Sequence, residues 1–356
     1  MKHIKNAVIV SGGNIDVDFA LDFLKKIKRK EPFMIAADRG LEFFEKTGLV
    51  PDAAVGDFDS LSIEGQKFLD TLKNTEILRL KPEKDDSDTQ SAACFAMDRG
   101  AEGAALTIRN LEEQQIGHSG LYLNEEDRDQ TVIREVNGTR IAVLSWTYAT
   151  NQPVDEPWRV NVFGDAWSSE VNTLLADVEQ AKKQADCVIV CMHWGTEFTY
   201  SLNESQIQIG QMLADSGVDV IIGNHPHTIQ PAEWIEAQDG HKTLCFYSLG
   251  NLISSAYTVS RADETFQNMY EVGALAQFEL KKSEDGVQVL NPVIIPVVNH
   301  FEGEYENFRL MPLKDYTEEL AARHSQADWS ADFSASWLKN QVRQVFQVSG
   351  IPVELD

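Results

Sequence analysis

Three short, largely apolar runs constrain this chain most, because each stops abruptly at a polar cluster. Cys187–Met192 ends at His193, Val218–Ile222 ends at Gly223-Asn224-His225-Pro226-His227, and Leu244–Tyr247 ends at Ser248-Leu249-Gly250-Asn251. Runs of this kind are buried on both faces, as strands of a parallel sheet are. Helical patterns separate them. Glu170–Gln184 reads as a long polar helix, and Ser201-Leu202-Asn203-Glu204 reads as a capping box opening a helix through Asp215. Such alternation predicts an α/β fold with sites at the carboxyl ends of its strands. Further strands are expected at Arg140–Ser145, Ala274–Leu280 and Pro292–Val298, with a helix near Ala331–Phe346.

The first hundred residues repeat the alternation with different punctuation. Strands are expected at Ala7–Ser11, Phe33–Ala37, Ala53–Val55 and Ile77–Leu80, and helices at Asp18–Lys28, after Asp38, and at Asp88–Arg99. Charge distinguishes this stretch from the rest. Residues 1–104 hold 15 Lys+Arg against 19 Asp+Glu, a net of −4, whereas the remainder holds 16 against 37, a net of −21. This break near Gly103–Leu106 has no Pro/Gly/Ser linker. It divides the chain into two segments, 1–104 and 105–356.

In the first segment, Asp57 and Asp59 are two apart, so an extended backbone points both carboxylates one way. Lys84-Asp85-Asp86-Ser87-Asp88-Thr89-Gln90 opens a helix, where carboxylates are favoured and can ligate a hard cation. Asp38 ends another strand. Magnesium carrying a nucleotide triphosphate would offset the mutual repulsion of these acids, with Lys84 placed for phosphate. Ser11-Gly12-Gly13, Ala37-Asp38-Arg39-Gly40, Pro51-Asp52, Gly56-Asp57-Phe58-Asp59-Ser60 and Lys84-Asp85 through Gln90 resemble the catalytic domain of bacterial thiamine pyrophosphokinase. The resemblance implies a Rossmann-like parallel sheet, ATP and thiamine as substrates, and transfer of a pyrophosphoryl group. It implies that Asp57, Asp59, Asp85 and Asp88 hold magnesium and phosphates, that Lys84 neutralises phosphate charge, and that Asp38, Ser11 and Gly12 lie at the nucleotide. It ends near residue 104, without the Gly-Gly-Arg-x-Asp-His turn that follows in the family.

In the second segment, His225 and His227 are two apart on an extended stretch and can face one metal ion or a bridged pair. His193 and Glu197 follow a neighbouring strand in His-Trp-Gly-Thr-Glu. Imidazole with carboxylate suits zinc, manganese or iron(II). Asn110-Leu111-Glu112 with Gly117-His118-Ser119-Gly120, Asn137-Gly138, Thr147-Tyr148 with Asn151, His193 through Glu197, Gly223 through His227, and Tyr247 through Asn251 resemble the poly-gamma-glutamate capsule synthesis (CapA) family. That resemblance implies a calcineurin-like metallophosphoesterase fold and a phosphate-containing or polyglutamate-related substrate. His193, His225 and His227 become metal ligands by it, Glu197 a ligand or acid/base group, and Asn224, Ser248 and Asn251 residues that shape the pocket. The family's early Gly-Asp ligand and Asn-Asn-His motif have no counterpart here. Asp57 and Asp59 could supply carboxylates in their place.

Three functional readings follow: a CapA-like protein, a thiamine diphosphokinase, or an inactive gene fusion without turnover. A formal charge of −25 disfavours nucleic acid and anionic membranes as partners. The start runs directly into a short strand and offers no stretch of roughly 20 apolar residues to span a membrane, which reads as cytoplasmic. Cys94, Cys187, Cys191 and Cys245 are too few for a disulfide framework and read as core thiols. Incomplete α/β halves would leave sheet edges open, so self-association is expected.

Overall fold

A computed structural model describes residues 7–10, 17, 20, 21, 24, 25, 32–56, 58, 61–79, 101–113, 116–150, 154, 156–253, 264–284, 286–303 and 306–356. The chain forms two compact units, Met1–Gln114 and Gln115–Asp356.

The first unit holds a parallel sheet of β1 (Ala7–Val10), β2 (Phe33–Ala37), β3 (Ala53–Gly56) and β4 (Glu76–Arg79), in that order. Its side chains alternate between two apolar layers. Ala36 and Ala54 pack with Leu41, Phe43 and Phe44 of helix α1 (Leu41–Thr47) and Leu69 of α2 (Ile63–Thr71). Ile35, Ala37, Ala53 and Val55 form the opposite layer. Asp52 fixes the register by accepting from the Met34 amide at 2.8 Å. Of the helix expected over Asp18–Lys28 only Ala20, Leu21, Leu24 and Lys25 are described, all helical. The expected helix Asp88–Arg99 lies outside the described residues.

The composition break at Gly103–Leu106 sits inside helix α3 (Ala101–Glu113). Ala101, Ala104, Ala105, Leu106 and Glu112 are strong helix formers, and Ile108 is buried, so the stretch needs no linker.

The second unit is built on a six-stranded sheet in the order β5 (Ile133–Val136), β6 (Thr139–Thr147), β7 (Cys187–His193), β8 (Val220–Asn224), β10 (Lys242–Phe246) and β9 (Ala232–Glu236). The four inner strands run parallel, and β5 and β9 are antiparallel edges. On one face Val188, Val190, Met192, Ile221 and Cys245 pack against α4 (Val171–Gln184) and α5 (Glu204–Asp215). On the other, Val220, Leu244 and Phe246 pack with a second, antiparallel sheet of β11 (Val272–Ser283), β12 (Gly286–Glu302) and β13 (Glu306–Pro312). Helices α6 (Glu264–Tyr270) and α7 (Ala335–Phe346) complete that layer. The chain is therefore α/β, with a parallel sheet in each unit. Cys187 and Cys245 are free and buried, as core thiols are. Among the described residues no helix is long and apolar enough to cross a membrane.

The capping box of α5 is displaced from its expected position. Asn203 is the N-cap and Gln206, not Glu204, closes the box: Asn203 Oδ1 accepts from the Gln206 amide at 2.8 Å, and Gln206 Oε1 accepts from the Asn203 amide at 3.1 Å. Gln206 wins because its amide also donates to Gln230 Oε1 at 2.9 Å inside the protein, which a carboxylate cannot do.

Candidate metal centre

Parallel pairing sets the carboxyl ends of β6, β7 and β8 side by side. Thr147 is in register with His193, and His193 with Asn224. The segment after β10 folds against the same rim, since the Leu249 amide donates to Gly223 O at 3.1 Å. Gly223 is required where it stands. A Cβ there would lie 2.0 Å from Tyr247 O and 2.5 Å from Trp194 Nε1, which are joined by a 2.8 Å hydrogen bond. Next to it the backbone is strained, with φ of 107° at His225 and 57° at His227. Non-glycine residues hold such angles only where the surroundings over-determine them.

The imidazoles lie close to one another at this rim. The His193 and His225 rings are 4.5 Å apart edge to face, and His227 lies 6.5 Å from His225. Tyr148 caps the pair, 5.9 Å from His193 and 4.7 Å from His225. Phe198 and Tyr270 stack on His227 at 5.7 and 5.9 Å. Phe198 holds a φ of 62° and donates its amide to Pro226 O at 2.8 Å, tying the loop after β7 to the histidine turn.

Desolvation, then the charge of His227, lowers the His193 pKa. Burial, then His193 and His227, pushes the His225 imidazole down to about 4. Rings held neutral in this way keep a lone pair for an electrophile. Thr147 Oγ1 lies 2.8 Å from His193 Nδ1, and Asn251 Oδ1 lies 3.0 Å from His227 Nδ1.

The sites read from the sequence fare differently. His193, His225 and His227 share this rim. Glu197 is exposed, and no hydrogen bond joins it to the histidines. Asn224 accepts from the His225 amide, and buried Ser248 donates to Thr228 O at 2.7 Å, so both shape the turn. Ser11, Gly12, Asp57, Asp59, Lys84, Asp85 and Asp88 lie outside the described residues, as does Asn151. Asp38 is described only in its backbone, which starts a short 3-10 turn after β2. Phe198 and Tyr270 were not singled out from the sequence. Phe198 follows Glu197 directly, whereas nothing local marks Tyr270, which comes from a distant helix. Among the described residues no group of three or more His, Cys, Asp or Glu is placed to hold a metal ion.

Two family descriptions match the chain. "Bacterial capsule synthesis protein PGA_cap" matches residues 91–256, and "Thiamin pyrophosphokinase, catalytic domain" matches residues 24–116. The PGA biosynthesis protein CapA of Bacillus subtilis is 28% identical over 276 residues, 73% of this chain and 66% of that protein. The capsule biosynthesis protein CapA of Bacillus anthracis is 27% identical over 200 residues, 55% of this chain and 44% of that one. The chain thus spans about two thirds or less of these relatives' lengths. A solved thiamin pyrophosphokinase family protein from Enterococcus faecalis is 30% identical, covering 30% of this chain and 52% of that chain, with a TM-score of 0.20. The resemblance is composite: thiamin pyrophosphokinase catalytic domain toward the N-terminus, and the CapA capsule-synthesis family after it.

Proposed function

We propose that the second unit acts as a CapA-like protein of poly-gamma-glutamate capsule synthesis, and that its histidine rim holds a divalent cation for phosphate chemistry. The observation that carries this reading is the 4.5 Å approach of His193 and His225 at the ends of adjacent parallel strands. The donors fit such an ion in kind, since neutral imidazoles suit zinc, manganese or iron(II). His193 and His225 would hold it, with His227 beside them and oxygens of water or substrate filling the remaining positions. When bound, the ion would polarise a phosphoryl oxygen and lower the pKa of its water. Tyr148 would limit access from above the ring pair. Glu197, exposed on the loop after β7, would exchange a proton with the substrate at its carboxylate. The substrate class is a phosphate-containing or polyglutamate-related molecule. Titration calorimetry of the full chain with zinc and manganese tests the reading. Binding that disappears in His225→Ala is expected, and binding equal in both proteins would overturn it.

A second reading concerns the first unit. The match over residues 24–116 supports a thiamin-pyrophosphokinase-like segment there. In it Asp57, Asp59, Asp85 and Asp88 would hold magnesium–ATP, Lys84 would meet the phosphates and Asp38 the nucleotide, with thiamine as acceptor; Ser11 and Gly12, ahead of the matched stretch, would join the nucleotide site on the motif resemblance alone. Magnesium-dependent ATP binding that is lost in Asp57→Ala is expected. A third reading is an inactive gene fusion, motivated by the composition break near Gly103–Leu106. Absence of both binding signals would single it out.

A further inference from the structure

Each of two rim histidines has one ring nitrogen tied to a side-chain oxygen, and the rest of the network fixes which way the proton points. Thr147 Oγ1 donates its only hydrogen to Ala149 O at 2.7 Å. It can therefore only accept from His193 Nδ1, 2.8 Å away. Asn251 is equally determined. Its Nδ2 donates to His227 O and to Tyr270 O, both at 3.1 Å, so its amide cannot be flipped. Its Oδ1 must then accept from His227 Nδ1 at 3.0 Å. A neutral imidazole that carries its proton on Nδ1 has its lone pair on Nε2.

We infer that Thr147 and Asn251 are positioning residues that lock His193 and His227 as Nδ1–H tautomers and so present two Nε2 lone pairs at the rim. The purpose of this arrangement rests on the metal-centre reading above, while the tautomers themselves do not. Both positioning residues belong to elements other than those carrying their histidines. Thr147 ends β6 and faces His193 across the strand pair, and Asn251 follows β10 and reaches His227 after β8. The same two contacts orient the rings, since a half-turn about χ2 would put a ring carbon in place of Nδ1 and lose the hydrogen bond. Outer partners of this type commonly change metal affinity by about 10–100-fold when removed.

Nitrogen-15 NMR of the metal-free full chain at about pH 8.5, where imidazoles are neutral, tests the assignment. The expected spectrum shows His193 and His227 with a pyrrole-type Nδ1 and a pyridine-type Nε2. Thr147→Val, which keeps the shape and removes the acceptor, is expected to shift His193 alone toward the Nε2–H form. Thr147→Ser is expected to restore the original spectrum, and Asn251→Leu to affect His227 instead. Zinc affinity is expected to fall about 10–100-fold in Thr147→Val. Zinc binding absent from the unaltered protein, with the tautomers as expected, would remove the metal reading and sustain the inference. An Nε2–H form of either ring in the unaltered protein, or a Thr147→Val spectrum identical to it, would overturn the inference.

Discussion

Gly223 has no room for a methyl group, because Tyr247 O and Trp194 Nε1 close over its α-carbon. Gly223→Ala must break their hydrogen bond or displace the histidine turn, at a cost of about 3 kcal/mol, readable as a lower urea midpoint. Two buried titratable groups shift stability in opposite directions with pH. Burial pushes His324 down to about 4. As a neutral ring it accepts from the Gln326 amide at 2.9 Å through Nδ1 and donates to Asn299 O at 2.8 Å through Nε2. A base with a depressed folded pKa stabilises fully above about pH 6.5. That contribution, on the order of 3 kcal/mol, is lost as pH falls from there toward 4. Thermal melts between pH 7 and 4 should show the decline, and His324→Gln should flatten it. Glu271 has both carboxyl oxygens buried without a hydrogen-bond partner, and burial raises its pKa well above the ordinary value. An acid raised in this way stabilises least at high pH, so Glu271→Gln should gain stability at pH 8 relative to pH 5. Neither group could be read from the sequence. The His at 324 and the Glu at 271 carry no local sign of burial, which comes from strands and helices distant in the chain.

At the scale of elements, α5 depends on the Asn203–Gln206 box. Asn203→Ala should cost about 1 kcal/mol, as cap removals do, and Gln206→Ala more, because it also leaves the buried Gln230 Oε1 without its Gln206 donor. Chemical denaturation of the two variants checks the ranking. Elements with strong apolar periodicity were legible in the sequence, and β2, β7, β10 and α4 lie where their patterns place them. Other elements were not. β13 is exposed along Glu306–Leu310, so no buried stripe marks it, and the edge strands β5 and β9 are short and half polar. Such strands are specified by the neighbours they pair with rather than by their own composition. The site divides along the same line. The three histidines could be found because strand ends announce them. Thr147 appeared only as a member of a motif and Asn251 only as a pocket-shaping residue, since their hydrogen-bonding roles require the register between strands.

At the scale of the whole molecule, the two units should respond separately to ligands. Zinc binds only the folded second unit in this account, so a hundredfold excess over the dissociation constant should raise its stability by about 2.7 kcal/mol and leave that of the first unit unchanged. Magnesium–ATP should do the reverse. Differential scanning calorimetry with each ligand reads this as a selective shift of one transition. The central claim, that the rim of His193, His225 and His227 is a cation site, is tested most directly by diffraction. Crystals of the full chain soaked in zinc, with data collected at the zinc absorption edge, should give an anomalous peak about 2.0–2.1 Å from His193 Nε2 and a ring nitrogen of His225. A well-ordered rim without a peak, or zinc bound only elsewhere on the chain, would contradict it.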